Sequence, residues 1–79
     1  MRITIKFFGS VKKLAECEEM HLEMDKGLTV NQVLELVNEE YPAITALGVA
    51  VTVNQKQVSD DLLLKDGDIL SLLPEPKGT

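Results

Sequence analysis

The sequence has a single cysteine, Cys17, among its 79 residues, and no tryptophan. One cysteine cannot form an internal disulfide, a Cys-x-x-Cys pair or a thiolate cluster, so metal-thiolate and iron–sulfur chemistry within one chain are excluded. No cationic residue immediately flanks Cys17, and we expect an inert small side chain rather than a reactive thiol. His21 is the only histidine. No nucleophile triad, phosphate loop or paired acid and base can be assembled around it, which argues against a stand-alone enzyme.

Basic residues are also few. The chain has eight Lys and Arg and thirteen Asp and Glu, which gives a net charge of −5. This charge argues against nucleic-acid binding, because contacts with the phosphate backbone need a basic face. A basic partner protein fits this charge better than a nucleic acid. No apolar run reaches the ~18 residues of a membrane span, and the N-terminus begins with alternating residues rather than a signal sequence, so we expect a cytoplasmic protein. The length is that of one domain.

Alternating polar and apolar residues at 2–7 predict a strand with Ile3, Ile5 and Phe7 facing the core. Phe8 breaks this alternation, and two interpretations are open: it folds under the next loop, or it is exposed in a partner-binding patch. The elements predicted next are a short helix at 11–16 capped by Ser10, a strand at 20–24, a turn at 25–27, a helix from Thr29 to Pro42, a loop at 43–48, and strands at 49–53 and 56–58.

The helix after Thr29 is the major one. Thr29 and Gln32 match a capping box, and the apolar positions share one stripe, so this helix covers one face of a sheet. The members of the stripe are Val30, Val33, Leu34, Val37 and Tyr41.

Near the C-terminus, a turn at Asp66-Gly67 precedes an apolar strand at 69–73. Pro74 and Pro76 lack backbone donors, so we expect residues 74–79 to leave a domain of residues 1–73 as an extended tail that reaches roughly 20 Å. A thin terminus after a core strand suits delivery to another protein's cleft.

The first and last strands are the most apolar long ones and belong side by side in the sheet centre, where they run parallel. The sequence therefore predicts an α+β fold, the ubiquitin-like β-grasp, with a mixed sheet of four to five strands and one major helix on one face. This fold alone does not define a function.

Short stretches along the whole chain resemble the MoaD/ThiS sulfur carriers, and within them the small subunit of molybdopterin synthase. They are the opening at 5–14 with its Phe7-Phe8 pair, the strand and turn at 50–55, and the run from Leu64 to Pro74. The resemblance implies a carrier whose C-terminal tail is activated as an acyl-adenylate, converted to a thiocarboxylate, and used to donate sulfur in molybdenum cofactor biosynthesis. It implies two partners, a MoaE-like large subunit and an E1-like (MoeB-like) adenylating enzyme that uses ATP, with no cofactor bound to the chain itself.

Carriers of this family end in Gly-Gly, which gives clearance at the reacting carbonyl. Here Gly78 matches the first glycine, whereas the β-branched Thr79 stands at the second, and Glu75-Pro76 replaces a proline and an apolar residue. Three alternatives remain open: a working carrier whose partners tolerate Thr79, a relative that kept the fold and lost sulfur transfer, or a chain with an altered end.

Residue matching gives the expected sites. Gly78 and Thr79 form the acyl-transfer end, and the expected partner contacts are Phe8, Leu73, Pro74, Glu75, Pro76 and Lys77. For Leu73, an ordinary core position at the end of a strand is the alternative. A second hypothesis for the whole chain is a MoaD-like binding or regulatory module that uses the same surface without acyl chemistry.

Overall fold

A single mixed sheet of five strands, in the order β2-β1-β5-β3-β4, forms one layer of the protein. The computed structural model describes residues 1–25 and 27–74, with the backbone alone at positions 45 and 47. The strands are β1 (Arg2–Phe7), β2 (Glu19–Glu23), β3 (Val49–Val53), β4 (Lys56–Gln57) and β5 (Ile69–Pro74), and the helices are α1 (Gly9–Ala15), α2 (Val30–Glu40) and α3 (Pro42–Leu47). The predicted β-grasp fold is confirmed.

The two central strands, β1 and β5, run parallel, as predicted. Ile5 lies opposite Leu70, which in turn lies opposite Val53 on antiparallel β3. Because side chains alternate across a strand, this row points to the helical side of the sheet, and so does the row two residues further on, which consists of Phe7, Leu72 and Val51. The fully buried large side chains of the core come from both layers: Phe7, Ile3, Ile5, Ile44, Leu64, Leu70, Leu72, Val11, Val30 and Val33.

Helix α2 begins with the predicted capping box. The Thr29 Oγ1 accepts a hydrogen bond of 3.2 Å from the Gln32 backbone N–H, and the Gln32 Oε1 accepts one of 2.9 Å from the Thr29 N–H. Two otherwise unpaired donors of the first turn are thereby satisfied. The predicted stripe is also confirmed, since Val30, Val33 and Val37 are buried against the sheet.

Two helical predictions were wrong in detail. Helix α1 begins at Gly9 rather than at residue 11, with Phe8 in the extended conformation at its N-cap, so Ser10 lies within the helix and does not cap it. The stretch after Pro42, predicted as a loop, is helix α3. Proline is well suited to the first position of a helix, where its missing N–H costs nothing, and Gly48 with a φ of +89° follows the last turn. Ile44 is fully buried and anchors α3 in the core.

The last strand is one residue longer than predicted. Pro74 still lies opposite Val49 of β3, so it belongs to the sheet and not to the tail. The paired register of β1 and β5 ends at Phe7 and Leu72, so Pro74 has a strand on one side only. A strand edge of this kind tolerates a residue without an N–H donor. None of the helices within residues 1–25 and 27–74 is long and apolar enough to cross a membrane.

Candidate functional site

The face of the sheet opposite the helices carries a shallow, open depression. The side chains that line it come from β1, the residue after β1, β3, the β3–β4 turn and β5: Lys6, Phe8, Thr52, Asn54, Gln55, Ile69, Ser71 and Leu73. These eight residues include apolar, uncharged polar and cationic groups but no carboxylate, so the surplus of acidic residues in the chain lies elsewhere. The depression is therefore suited to an extended contact with another surface.

Strand alternation places these side chains on one face. In β5, Leu70 and Leu72 point into the core, and the residues that alternate with them, Ile69, Ser71 and Leu73, point to the open face. Ser71 lies between Lys6 of β1 and Thr52 of β3 in the paired registers. The central strands thus supply the floor of the depression.

Phe8 stands at one end of this face. Its backbone N–H donates a hydrogen bond of 3.1 Å to the Leu72 carbonyl oxygen, which continues the β1–β5 pairing by one bond. Phe8 is 43% exposed, more than any other aromatic residue in the described part of the chain. Of the two interpretations open from the sequence, exposure is the correct one. Leu73 is half-buried on the same face, close to the point where the tail begins.

The other end of the face is held by a polar network around Asn54. Its amide Nδ2 donates to Asp68 Oδ1 over 3.1 Å, and its Oδ1 accepts from the Ile69 N–H over 3.1 Å. Asn54 and Gln55 both have positive φ, 51° and 69°, as a two-residue type I′ hairpin turn requires. This turn joins β3 to β4 and fixes one wall of the depression.

Charges near the Phe8 end are few and exposed. Lys12 of α1 and Glu18 form an ion pair of 2.8 Å, and the Lys12 ammonium lowers the pKa of Glu18, first by its hydrogen bond and then by its charge. Both side chains are largely in solvent, where such a pair contributes little to stability. Among the eight lining residues of the depression, Lys6 carries the one charge, which is positive.

The predicted site residues fall into three groups. Phe8 and Leu73 both line the depression on the open face, and their contact with a partner stays a prediction. Pro74 lies instead against Gly9 at the end of β5. The remaining five, Glu75, Pro76, Lys77, Gly78 and Thr79, lie outside the described residues.

Several lining residues were not singled out from the sequence. The apolar strand at 69–73 indicates a core position for Ile69, yet Ile69 is 37% exposed. The polar Ser71 in the middle of that strand was the available signal, because it marks the face that Ile69 and Leu73 share. For Asn54 and Gln55 the sequence indicates only a turn. Within residues 1–25 and 27–74, no group of three or more His, Cys, Asp and Glu could hold a metal ion.

A model of the ThiS family matches residues 5–78, nearly the whole chain. The chain belongs to the ThiS family. It is a ubiquitin-like sulfur carrier of the MoaD/ThiS type, and the family resemblance noted in the sequence is confirmed.

Three solved structures illustrate the range of its relatives. A Pyrococcus furiosus protein assigned as molybdopterin converting factor subunit 1 is 25% identical, with 94% of this chain and 97% of that one covered and a TM-score of 0.86. Subunits 1 and 2 of molybdopterin-converting factor from Helicobacter pylori form a complex in which the matching chain is 26% identical, with full coverage of both and a TM-score of 0.72. SAMP1 from Haloferax volcanii shares the fold, with a TM-score of 0.83 over the full length of both chains, at 19% identity.

Proposed function

We propose that this chain is the small subunit of a molybdopterin synthase and donates sulfur in molybdenum cofactor biosynthesis. The observation that carries the proposal is that Phe8 and Leu73 line one depression on the open sheet face, with Leu73 near the end of the strand that precedes the tail. An exposed aromatic ring beside a half-buried leucine is a suitable anchor for a partner enzyme. The similarity to subunit 1 of molybdopterin-converting factors from two organisms supports the choice of pathway.

The tail carries the chemistry in this proposal. Its C-terminal carboxylate attacks the α-phosphorus of ATP on a MoeB-like adenylating enzyme, forming an acyl-adenylate and releasing pyrophosphate. Hydrosulfide delivered by a sulfur donor then attacks the acyl carbon, so that a C–S bond replaces the C–O bond to AMP, AMP leaves, and a thiocarboxylate remains. A MoaE-like large subunit receives the tail, and the sulfur passes to a pterin precursor. No cofactor is held by the chain, whose own contribution is to bind the partners and to present the tail.

Thr79 affects the first of these steps. A β-branched side chain beside the reacting carbonyl restricts its approach to the adenylating site, so the partner must have room for a threonine where the family pattern has glycine. Gly78 keeps backbone freedom at the preceding position. Thr79 also favours the second candidate, a binding or regulatory module that uses the Phe8 and Leu73 surface without acyl chemistry.

Intact mass of the protein isolated from its native cell tests the proposal, with a Thr79→Gly variant expressed alongside. Replacement of one oxygen by one sulfur in the unaltered chain identifies a working carrier. A mass increase in the Thr79→Gly variant alone identifies a carrier fold whose unaltered C-terminus no longer accepts sulfur, and supports the second candidate. No gain in either contradicts sulfur transfer.

The pathway needs a separate measurement. Deletion of the gene should abolish the activity of the cell's molybdenum or tungsten enzymes, and growth without thiamine should continue. The reverse pattern, intact metalloenzymes with a requirement for thiamine, would contradict the molybdopterin role and leave the sulfur-carrier function standing.

A further inference from the structure

Gly9 lies against the ring of Pro74, at the point where β5 ends. Its φ is +57°, a conformation that favours glycine, and a Cβ at this position would lie 3.0 Å from Cγ and 3.3 Å from Cδ of Pro74. Contacts of this length force the neighbouring ring to move by a few tenths of an ångström. Gly9 therefore permits both the turn into α1 and the close approach of α1 to Pro74.

Pro74 is held from two directions. On one side it lies opposite Val49 of β3, and on the other it meets Gly9 in the first turn of α1. The Phe8 N–H donates a hydrogen bond to the carbonyl oxygen of Leu72, which lies two residues before Pro74, so the start of α1 is also bound to β5. The proline ring is bonded to both the backbone N and the Cα of Pro74, so a displaced ring also displaces the backbone from which the chain continues.

We propose that Gly9 is a positioning residue for the acyl-transfer reaction: its contact with Pro74 fixes the point from which the tail extends toward the active site of the partner. The inference rests on the proposed function, since a tail matters only if a partner acts on its end. When Pro74 is correctly placed, the tail brings its carboxylate to the adenylating site in a reactive orientation. When Pro74 is displaced, the partner still binds through the open face, but the reacting carboxylate is misplaced.

Gly67 is a matched control within the same chain. It also has a positive φ, +86°, but nothing lies within 4 Å of the Cβ that an alanine would add. Gly67→Ala therefore introduces the same type of backbone strain as Gly9→Ala without a contact to Pro74. We expect both variants to lower the melting temperature, by roughly 5 °C for Gly67→Ala and by more for Gly9→Ala, which adds the contact with Pro74.

ATP–pyrophosphate exchange by the chain's adenylating enzyme measures the effect on the reaction. The substrates are the unaltered chain, Gly9→Ala, Gly67→Ala, Pro74→Ala and the double variant of Gly9 and Pro74. Because a 1 Å misplacement of reacting groups costs about a hundredfold, we expect Gly9→Ala to lower kcat about three- to tenfold and to change KM less than about twofold. Gly67→Ala should leave both constants unchanged. The double variant should match Pro74→Ala, since the ring atoms that clash are gone.

Two results would overturn the inference: equal kcat for Gly9→Ala and Gly67→Ala, or multiplicative effects in the double variant. If the unaltered chain supports no exchange, the proposed function fails, and amide NMR signals of the chain alone then decide about Gly9. Gly9→Ala should shift the signals of Leu73 and Glu75, and Gly67→Ala should not. Unshifted signals in Gly9→Ala would show that Pro74 does not depend on this contact.

Discussion

The backbone N–H of Phe8 donates to the carbonyl oxygen of Leu72 over 3.1 Å. This bond lies one step beyond the last paired residues of β1 and β5, so it fixes Phe8 although the strand has already ended. The Phe8 ring consequently continues the alternation of β1 and faces the open side, next to Leu73. A break in the sequence pattern thus marks a surface that combines a rigid backbone with an exposed aromatic side chain.

We expect Phe8→Ala to weaken binding to the MoaE-like large subunit. An aromatic anchor at an interface typically contributes about 2 kcal/mol, so the dissociation constant should rise roughly thirtyfold. Isothermal titration calorimetry with the large subunit from the same organism measures it. The fold should be unaffected, because Phe8 is 43% exposed and the hydrogen bond to Leu72 uses only the backbone.

Leu36→Ala is the control for Phe8→Ala. Leu36 is exposed to a similar extent, 39%, but lies on α2, on the helical side of the sheet. Its truncation should leave the dissociation constant unchanged within about twofold. Equal losses from the two variants would show that the large subunit does not bind the open face.

Most of the sheet could be predicted from the sequence because its strands alternate. Residues 2–7 have a strict period of two, and the parallel pairing of β1 with β5 follows from the two most apolar strands and the intervening crossover. Helix α3 could not be predicted in this way, because Pro42 ends one helix and begins the next, and the two roles share one sequence signal.

The candidate site was predicted only in part. Phe8 stood out because it breaks an alternation, and Leu73 because it matches an apolar residue just before the tail in the family it resembles. Ile69 and Ser71 did not, since an almost continuous apolar run hides which face each residue takes until the neighbouring strands are known. The contact between Gly9 and Pro74 joins positions 65 residues apart in the chain, and no local pattern encodes it.

The two faces of β5 can be tested by adjacent substitutions. Leu70 is fully buried between Ile5 and Val53, whereas Ile69 is 37% exposed on the open face. Leu70→Ala should lower the free energy of unfolding by about 3 kcal/mol through lost burial and a cavity, and Ile69→Ala by less than about 1 kcal/mol. Urea denaturation measures both. Similar losses would be incompatible with the register described for β1, β5 and β3.

A dependence of stability on alkaline pH is expected from Tyr41. Its ring packs edge-on against Phe7, with centroids 6.1 Å apart, and is half-buried. Desolvation, followed by the negative charges of Cys17 and Glu40, raises the pKa of Tyr41 above its ordinary value of 10.0. The unfolded chain therefore ionises at this residue before the folded one, so the stabilisation is complete below pH 10 and is lost as the pH rises above it.

Thermal unfolding of the unaltered chain and Tyr41→Phe between pH 8 and pH 11 measures this contribution. The melting temperature of the unaltered chain should fall more steeply above pH 10 than that of Tyr41→Phe. Alkaline effects that do not involve Tyr41 act on both chains and cancel in the comparison. Parallel curves would show that Tyr41 ionises equally easily in both states.

The β3–β4 turn should be improvable by one substitution. Gln55 has a φ of 69°, which strains a residue with a Cβ, and glycine is preferred at this position of a type I′ turn. Gln55→Gly should raise the free energy of unfolding by about 0.5–1 kcal/mol, a gain of roughly 3–6 °C in melting temperature measured by calorimetry. Gln57→Gly, two residues on in β4, should instead lower it, because the strand needs no positive φ there. A loss of stability in Gln55→Gly would mean that its side chain contributes more than the strain removes.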